Sequence, residues 1–300
     1  MDPKQTWLWT ALITPFTADG SGVDFDEMIK LIKRQEAAGN GVMILGSTGE
    51  SLSLTDEEKR EIVRLTCGLK LKVPVMVGTP NINLKQTLTW LDFCHGCGAD
   101  AYLAATPLYT KPAPEGQIEW FKTVFDAADA PIMLYNIPSR TGVMLSPAVL
   151  RTLQGHRNFW AVKESSGLDM YVEYASTAPN TKLYSGDDYL LVAAVSIGAC
   201  GLVSVAANIW PEACNAYVEA CRDGSYRGQD WWRIGKALFA TTNPIPAKAL
   251  MQHQGVIASG AVRLPLSVKD LATLDGMKIA DQQVKEWHSR YLAQRKEKAA

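Results

Sequence analysis

The stretch FWAVKESSG, residues 159–167, carries a lysine, Lys163, at the end of an apolar run. A run that is apolar throughout is typical of a β-strand buried on both faces in a parallel sheet. Lysine is among the residues least often buried without a partner. The type of sheet to which the strand belongs therefore decides what the amine of Lys163 faces.

Seven further short apolar runs, each bounded by turn residues, predict strands of the same kind. They span residues 8–16, 41–49, 73–79, 100–107, 131–136, 182–188 and 200–208. The segments between them have helical periodicity; the clearest opens with a capping box of Thr55 and Glu58. Eight strand-then-helix units over about 220 residues predict a (β/α)8 TIM barrel, since a doubly wound sheet seldom has so many regular repeats.

The remainder of the chain carries no strand pattern. It predicts three or four helices, at residues 230–242, 244–254, 268–274 and 280–300. We therefore expect two domains: a (β/α)8 barrel catalytic domain at residues 1–224 and a C-terminal helical domain at residues 225–300.

Composition restricts the class of partner. The 300 residues are 47% hydrophobic with a formal net charge of −1, so a basic face for nucleic acid or anionic membranes is not expected. No apolar run reaches the ~18 residues of a membrane span. Six scattered cysteines fit reduced thiols, and CHGC at 94–97 lacks the second ligand pair of a zinc site. We expect a cytoplasmic protein that acts on small molecules and holds no metal.

Polar residues follow several predicted strands, and in such a barrel these positions face the active site. GSTGES, residues 46–51, has two glycines that let backbone N–H groups approach an anion, although the same composition is common in turns. Tyr109 follows strand four, and Tyr135 ends strand five. Arg140, in the next loop, could hold a carboxylate bidentately, although loop arginines are often only solvated charges.

Two readings of Lys163 are open from its position alone. Its amine could reach the barrel rim and pair with Glu164 or Asp187. Alternatively it is a Schiff-base nucleophile, because an apolar site disfavours the charged amine and a phenol at the neighbouring strand end could transfer protons. The polar residues at the adjacent strand ends favour the nucleophile.

The order and spacing of several motifs resemble one enzyme family. They are GSTGES, TPLYTKP, YNIPSRTG, VKESSG, SGDD, GLVSVAAN and NPIPAK. Over nearly its whole length the chain is similar to the dihydrodipicolinate synthase and N-acetylneuraminate lyase family of class I aldolases. The resemblance implies a (β/α)8 barrel with a C-terminal helical domain, usually a homotetramer built as a dimer of dimers, with neither metal nor organic cofactor.

The resemblance also implies roles for individual residues. Lys163 would form an imine with pyruvate, and Tyr135 would relay protons to and from it. Ser47 would be the middle hydroxyl of the relay. Tyr109 would complete the relay from the neighbouring subunit.

Substrate contacts follow from the same resemblance. Thr48 would bind the pyruvate carboxylate, and Gly186 and the backbone at Val203 would line the pocket. Arg140 would hold the carboxylate of L-aspartate 4-semialdehyde, as in the synthases of the family. Ser47 departs from this pattern, because the synthases usually carry threonine there and the lyases serine.

The expected reaction is therefore the condensation of pyruvate with L-aspartate 4-semialdehyde in lysine and diaminopimelate biosynthesis. One alternative is an aldolase or dehydratase of a 2-keto-3-deoxy sugar acid or N-acetylneuraminate, with the same lysine and tyrosine. A second is a pyridoxal phosphate protein, for which SIGACG at 196–201 is a faint phosphate site. A third is a catalytically silent binding module, although such a protein would be expected to have lost Lys163 or Tyr135.

Overall fold

The computed structural model describes residues 2–79, 82–226 and 228–299. In this part of the chain eight parallel strands close into a barrel in sequence order, as predicted. Most of them end earlier than the apolar runs do, because the last residues of each run turn into the loops. The strands are β1 (Leu8–Ala11), β2 (Gly41–Ile44), β3 (Val75–Gly78), β4 (Ala101–Ala105), β5 (Ile132–Asn136), β6 (Phe159–Glu164), β7 (Lys182–Ser185) and β8 (Ala199–Ser204).

Helices cover the outside of the barrel. The predicted capping box is present: the Thr55 hydroxyl accepts from the Glu58 N–H at 3.2 Å, and Glu58 accepts from the Thr55 N–H at 2.9 Å. The helices are α1 (Phe25–Ala38), α2 (Asp56–Gly68), α3 (Leu84–Cys97), α4 (Pro114–Ala127), α5 (Pro138–Thr141), α6 (Pro147–Leu153), α7 (Leu168–Thr177), α8 (Leu191–Ser196) and α9 (Pro211–Arg222).

Three helices follow the barrel: α10 (Asp230–Leu238), α11 (Ile245–His253) and α12 (Asp275–Ala299). The predicted helix at 268–274 is only a 3-10 turn, Val268–Asp270, whose first turn is capped by the Ser267 hydroxyl. The three helices share the hydrophobic core of the barrel helices, since Trp231 of α10 stacks on Tyr217 of α9 with ring centroids 4.2 Å apart. We propose that the barrel domain ends near residue 224, just after α9.

Aromatic side chains fill the N-terminal end of the barrel. Trp160 packs against Trp9 and Tyr184, with ring centroids 6.0 and 5.7 Å apart. Gly201 makes room for Tyr184, because a Cβ at that position would lie 2.7 Å from its ring. The Tyr184 hydroxyl donates to the Thr6 carbonyl at 2.9 Å. This packing leaves the C-terminal end of the barrel as the open end.

Across the described residues, we find no helix that combines the length and the apolar character needed to cross a lipid bilayer.

Candidate active site

Lys163 lies inside the barrel. Side chains of a strand alternate between its two faces, and on β6 the inward positions include Ala161 and Lys163, whereas Val162 packs among the outer helices. Lys163 is 4% exposed. It is the register partner of Tyr135 on β5, and its Nζ lies 4.2 Å from the centre of the Tyr135 ring. The apolar strand therefore ends on an amine that faces a phenol.

The other hypothesis for Lys163 was an ion pair with Glu164 or Asp187 at the barrel rim, and the described residues do not form it. Among the described residues its amine pairs with no carboxylate. Glu164 faces outward, where its carboxylate accepts from the Asn136 side chain at 2.7 Å and from the hydroxyl and backbone N–H of Ser166. Burial raises the pKa of Glu164.

Two further carboxylates lie near enough to Lys163 for its charge to act on them. Burial raises the pKa of Asp187 to about 6, and the positive charge of Lys163 opposes that rise. Asp188 is fully buried, which raises its pKa, and it accepts from the Ser204 hydroxyl and from the backbone N–H groups of Val205 and Ala206.

A cavity of about 370 Å³ opens at this end of the barrel. It brings together three of the predicted site residues, Ser47, Tyr135 and Arg140. Two threonines, Thr79 and Thr106, add hydroxyl groups to its wall. Lys163 is not in this wall, but its amine packs against the ring of Tyr135, which is. The cavity therefore joins a phenol, hydroxyls and a guanidinium next to a buried amine.

The loop after β2 is held from several directions. The Thr14 hydroxyl donates to the Gly49 carbonyl at 2.7 Å. Glu50, in a left-handed conformation with φ of 52°, accepts from the buried amine of Lys248 at 2.5 Å and from the Arg263 N–H at 2.9 Å. This anchoring fixes Thr48, which is 3% exposed, and so fixes the predicted carboxylate site.

The remaining predicted residues lie around the cavity and not in its wall. Gly186 adjoins Lys163, since a Cβ there would lie 2.8 Å from the lysine Cε. Val203 is fully buried in the barrel interior. Tyr109 has φ of 69° and is 86% exposed, so its ring projects from the chain, and its backbone N–H donates to the Thr141 carbonyl at 3.1 Å.

Asn243, which was not predicted from the sequence, contacts two of the predicted site residues. Its side-chain amide donates to Thr48, and its carbonyl accepts from Arg140. Asn243 opens the motif NPIPAK. That motif indicates family resemblance but no specific contact. Spacing in the sequence does not reveal contacts between residues more than 100 positions apart.

The arrangement suits imine chemistry. A buried amine can attack a ketone, and an adjacent phenol can move the protons that imine formation and breakdown require. The guanidinium of Arg140 at the mouth can bind a carboxylate in a forked geometry. The described residues contain no group of three or more histidine, cysteine or acidic side chains placed to hold a metal ion.

Known proteins resemble this chain over nearly its whole length. The chain is 46% identical over 286 residues to the 4-hydroxy-tetrahydrodipicolinate synthase of Wolbachia pipientis subsp. Culex pipiens (strain wPip), which covers 95% of this chain and 98% of the relative. The crystal structure of the dihydrodipicolinate synthase of Cyanidioschyzon merolae with lysine bound superposes with a TM-score of 0.87 at 29% identity, covering 94% of this chain and 99% of that chain.

A second similar structure is the chloride-inhibited dihydrodipicolinate synthase of Acinetobacter baumannii complexed with pyruvate. Its TM-score is 0.84 at 28% identity, and the match covers 93% of this chain and 98% of that chain. The model of the Dihydrodipicolinate synthetase family matches residues 4–282. Because the family model matches almost the whole chain, and the chain forms an eight-stranded barrel with a buried lysine, it belongs to the dihydrodipicolinate synthetase family.

Proposed function

We propose that this protein is a class I lyase that condenses pyruvate with L-aspartate 4-semialdehyde to 4-hydroxy-tetrahydrodipicolinate. The observation that carries the proposal is the buried amine of Lys163 against the ring of Tyr135 at the open end of the barrel. The names of the relatives support the choice of substrates.

The proposed reaction starts on Lys163. Its neutral amine adds to the C2 carbonyl carbon of pyruvate, and loss of water gives the imine. Loss of a proton from the methyl carbon gives the enamine, whose carbon attacks the aldehyde carbon of the second substrate, and the new alkoxide takes up a proton. The amino group of that substrate then adds to the imine carbon and expels the Lys163 amine, which closes the ring.

Tyr135 and Ser47 are the proton-transfer groups of this scheme. Both line the cavity beside the amine, and the phenol and hydroxyl can pass a proton to and from the departing water and the alkoxide. Thr48 binds the pyruvate carboxylate in this proposal. Gly186 leaves space beside Lys163 for the substrate carbons, and the backbone at Val203 supports the same wall from the neighbouring strand.

Arg140 is proposed to bind the carboxylate of the semialdehyde, because it lies at the mouth of the cavity and not beside the amine. The competing substrates are 2-keto-3-deoxy sugar acids and N-acetylneuraminate. Rates with each substrate, measured on one preparation, test the choice. Pyruvate plus L-aspartate 4-semialdehyde is expected to be turned over at least about 100-fold faster, and cleavage of a sugar acid at an equal rate would contradict the proposal.

We also propose a cytoplasmic homotetramer, a dimer of dimers, in which Tyr109 acts at the site of a neighbouring subunit. The exposure of Tyr109 and of Leu52, which lines the cavity, supports an interface at this end of the barrel. All six cysteines are free thiols, as expected in a reducing compartment.

Subunit mixing tests the role of Tyr109. In a mixed dimer of Lys163→Ala and Tyr109→Phe subunits, a shared site would combine an intact Lys163 with an intact Tyr109 of the other subunit. Refolding the two variants together should therefore give more activity than their sum. No gain, with mixed dimers demonstrated by mass, would place Tyr109 outside the neighbour's site.

A further inference from the structure

Asn243 lies where the two proposed carboxylate-binding residues meet. It precedes α11 and is 5% exposed. Its Nδ2 donates to the Thr48 Oγ1 at 2.9 Å, and its backbone carbonyl accepts from the Arg140 Nη2 at 3.4 Å. One residue of the C-terminal helical segment thus contacts the loop after β2 and the short helix α5 that follows β5.

The direction of the bond to Thr48 has a chemical consequence. A hydroxyl group has one hydrogen to donate and lone pairs that accept. Because the Asn243 amide nitrogen can only donate, Thr48 accepts that bond and its own hydrogen stays available. The hydroxyl of Thr48 is therefore prepared to donate to an anion, which is what a carboxylate ligand requires.

The other end of the same amide argues against a purely structural role. The Oδ1 of Asn243 is buried and has no hydrogen-bond partner among the described residues, although buried polar atoms are normally paired. Asn208, which is also buried, shows the usual pattern: its Oδ1 accepts from the Ile13 N–H at 2.9 Å, and its Nδ2 donates to two carbonyls. The Asn243 side chain thus makes one bond, and that bond goes to Thr48.

We infer that Asn243 is a positioning residue that sets Thr48 as a hydrogen-bond donor to the pyruvate carboxylate. The inference rests on the proposed function and adds to it a residue outside the barrel. The side chain acts on Thr48 alone, whereas Arg140 contacts only the backbone carbonyl. Changing the side chain should therefore affect pyruvate far more than the semialdehyde.

The test is steady-state kinetics of Asn243→Asp and Asn243→Ala, with both substrates varied. Aspartate has the same shape but accepts where asparagine donates, so the Thr48 hydrogen would turn toward it and away from pyruvate. We expect the KM for pyruvate to rise about tenfold or more, as for loss of a hydrogen bond to a charged group. The kcat and the KM for the semialdehyde should stay within about threefold, a split that general loss of structure would not produce.

A double-mutant cycle separates the hydrogen bond from the added charge. In a Thr48→Val background, Asn243→Ala should have less than about twofold further effect on the pyruvate KM. Asn158→Ala is the matched control, since Asn158 is also buried but bonds to the Phe125 and Ala128 carbonyls before β6, away from the cavity. It should lower the melting temperature and leave both KM values unchanged.

Two results overturn the inference alone: a pyruvate KM of folded Asn243→Asp within twofold of the wild type, or an Asn243→Ala effect that is undiminished in the Thr48→Val background. Labelling of the wild type by pyruvate and borohydride distinguishes failure of this inference from failure of the proposed function. A wild-type protein that is not labelled overturns the proposed function and this inference with it, whereas a labelled wild type with an unchanged variant overturns only the role of Asn243.

Discussion

Tyr135 and Lys163 are register partners on adjacent strands, and the lysine Nζ lies 4.2 Å from the centre of the tyrosine ring. Strand pairing fixes this contact, so it does not depend on a mobile loop. The amine packs against the ring of Tyr135, which lines the cavity, and in the proposed reaction the phenol acts as an acid or base beside it.

Tyr135→Phe keeps the ring against Lys163 and removes only the hydroxyl group. Because general acid–base catalysis contributes typically about 10²–10⁴-fold, we expect kcat to fall by that factor while the melting temperature changes little. Steady-state rates and thermal unfolding measure the two effects. A rate within threefold of the wild type would show that another group moves the protons.

Arg140→Ala should separate the two substrates. Arg140 lies at the mouth of the cavity and makes one hydrogen bond, at 3.4 Å, to the Asn243 carbonyl. Loss of its guanidinium should cost about 2–5 kcal/mol in kcat/KM for the semialdehyde and leave labelling by pyruvate and borohydride intact. Equal damage to both steps would contradict this division of roles.

Asp187→Asn tests how burial of this carboxylate affects the free energy of unfolding. Its pKa in the folded protein is raised by burial from 3.8 to about 6, so this group favours folding below pH 4 and loses that contribution as the pH rises through about 6. At pH 7 the asparagine variant should therefore be more stable than the wild type, by up to about 3 kcal/mol for a shift of this size, and the difference should shrink toward pH 4.

Urea unfolding between pH 4 and pH 8 measures this effect. Asp92→Asn, at an exposed position of α3, is the control and should show no such trend. A stability difference for Asp187→Asn that is constant across this pH range would mean that burial does not penalise the charge.

Lys248 and Glu50 form a buried ion pair at 2.5 Å, and the lysine is fully buried. Removing one partner leaves a buried charge, which costs about 3–5 kcal/mol. Lys248→Met should therefore lower the free energy of unfolding by that amount, and Lys248→Met with Glu50→Leu should be less damaging. Urea unfolding compares the three proteins, and a double variant less stable than the single one would show that the pair itself stabilises the fold.

The sequence predicted the barrel well because its strands are apolar on both faces and so differ in pattern from the helices around them. Lys163 stood out for the same reason, as a charge at the end of an apolar run. The ends of the strands were less predictable: β2 stops at Ile44, where Leu45 turns with φ of 59°. No periodicity signals a left-handed leucine.

Contacts between distant segments could not be predicted. Asn243 reaches Thr48 because the start of α11 packs beside the loop after β2, and Lys248 of α11 reaches Glu50 for the same reason. Both residues lie in the motif NPIPAK, which indicated family resemblance but no particular contact. The role of Tyr109 could not be predicted from contacts within one chain, because its proposed site lies on another subunit.

In the proposed reaction Lys163 carries the covalent intermediate. The most direct measurement is to incubate the protein with pyruvate and sodium borohydride, digest it and locate the modified residue by mass. We expect a single reduced pyruvate adduct on the peptide that contains Lys163, and none in Lys163→Ala. An adduct on a different lysine, or labelling that survives in Lys163→Ala, would show that Lys163 is not the nucleophile.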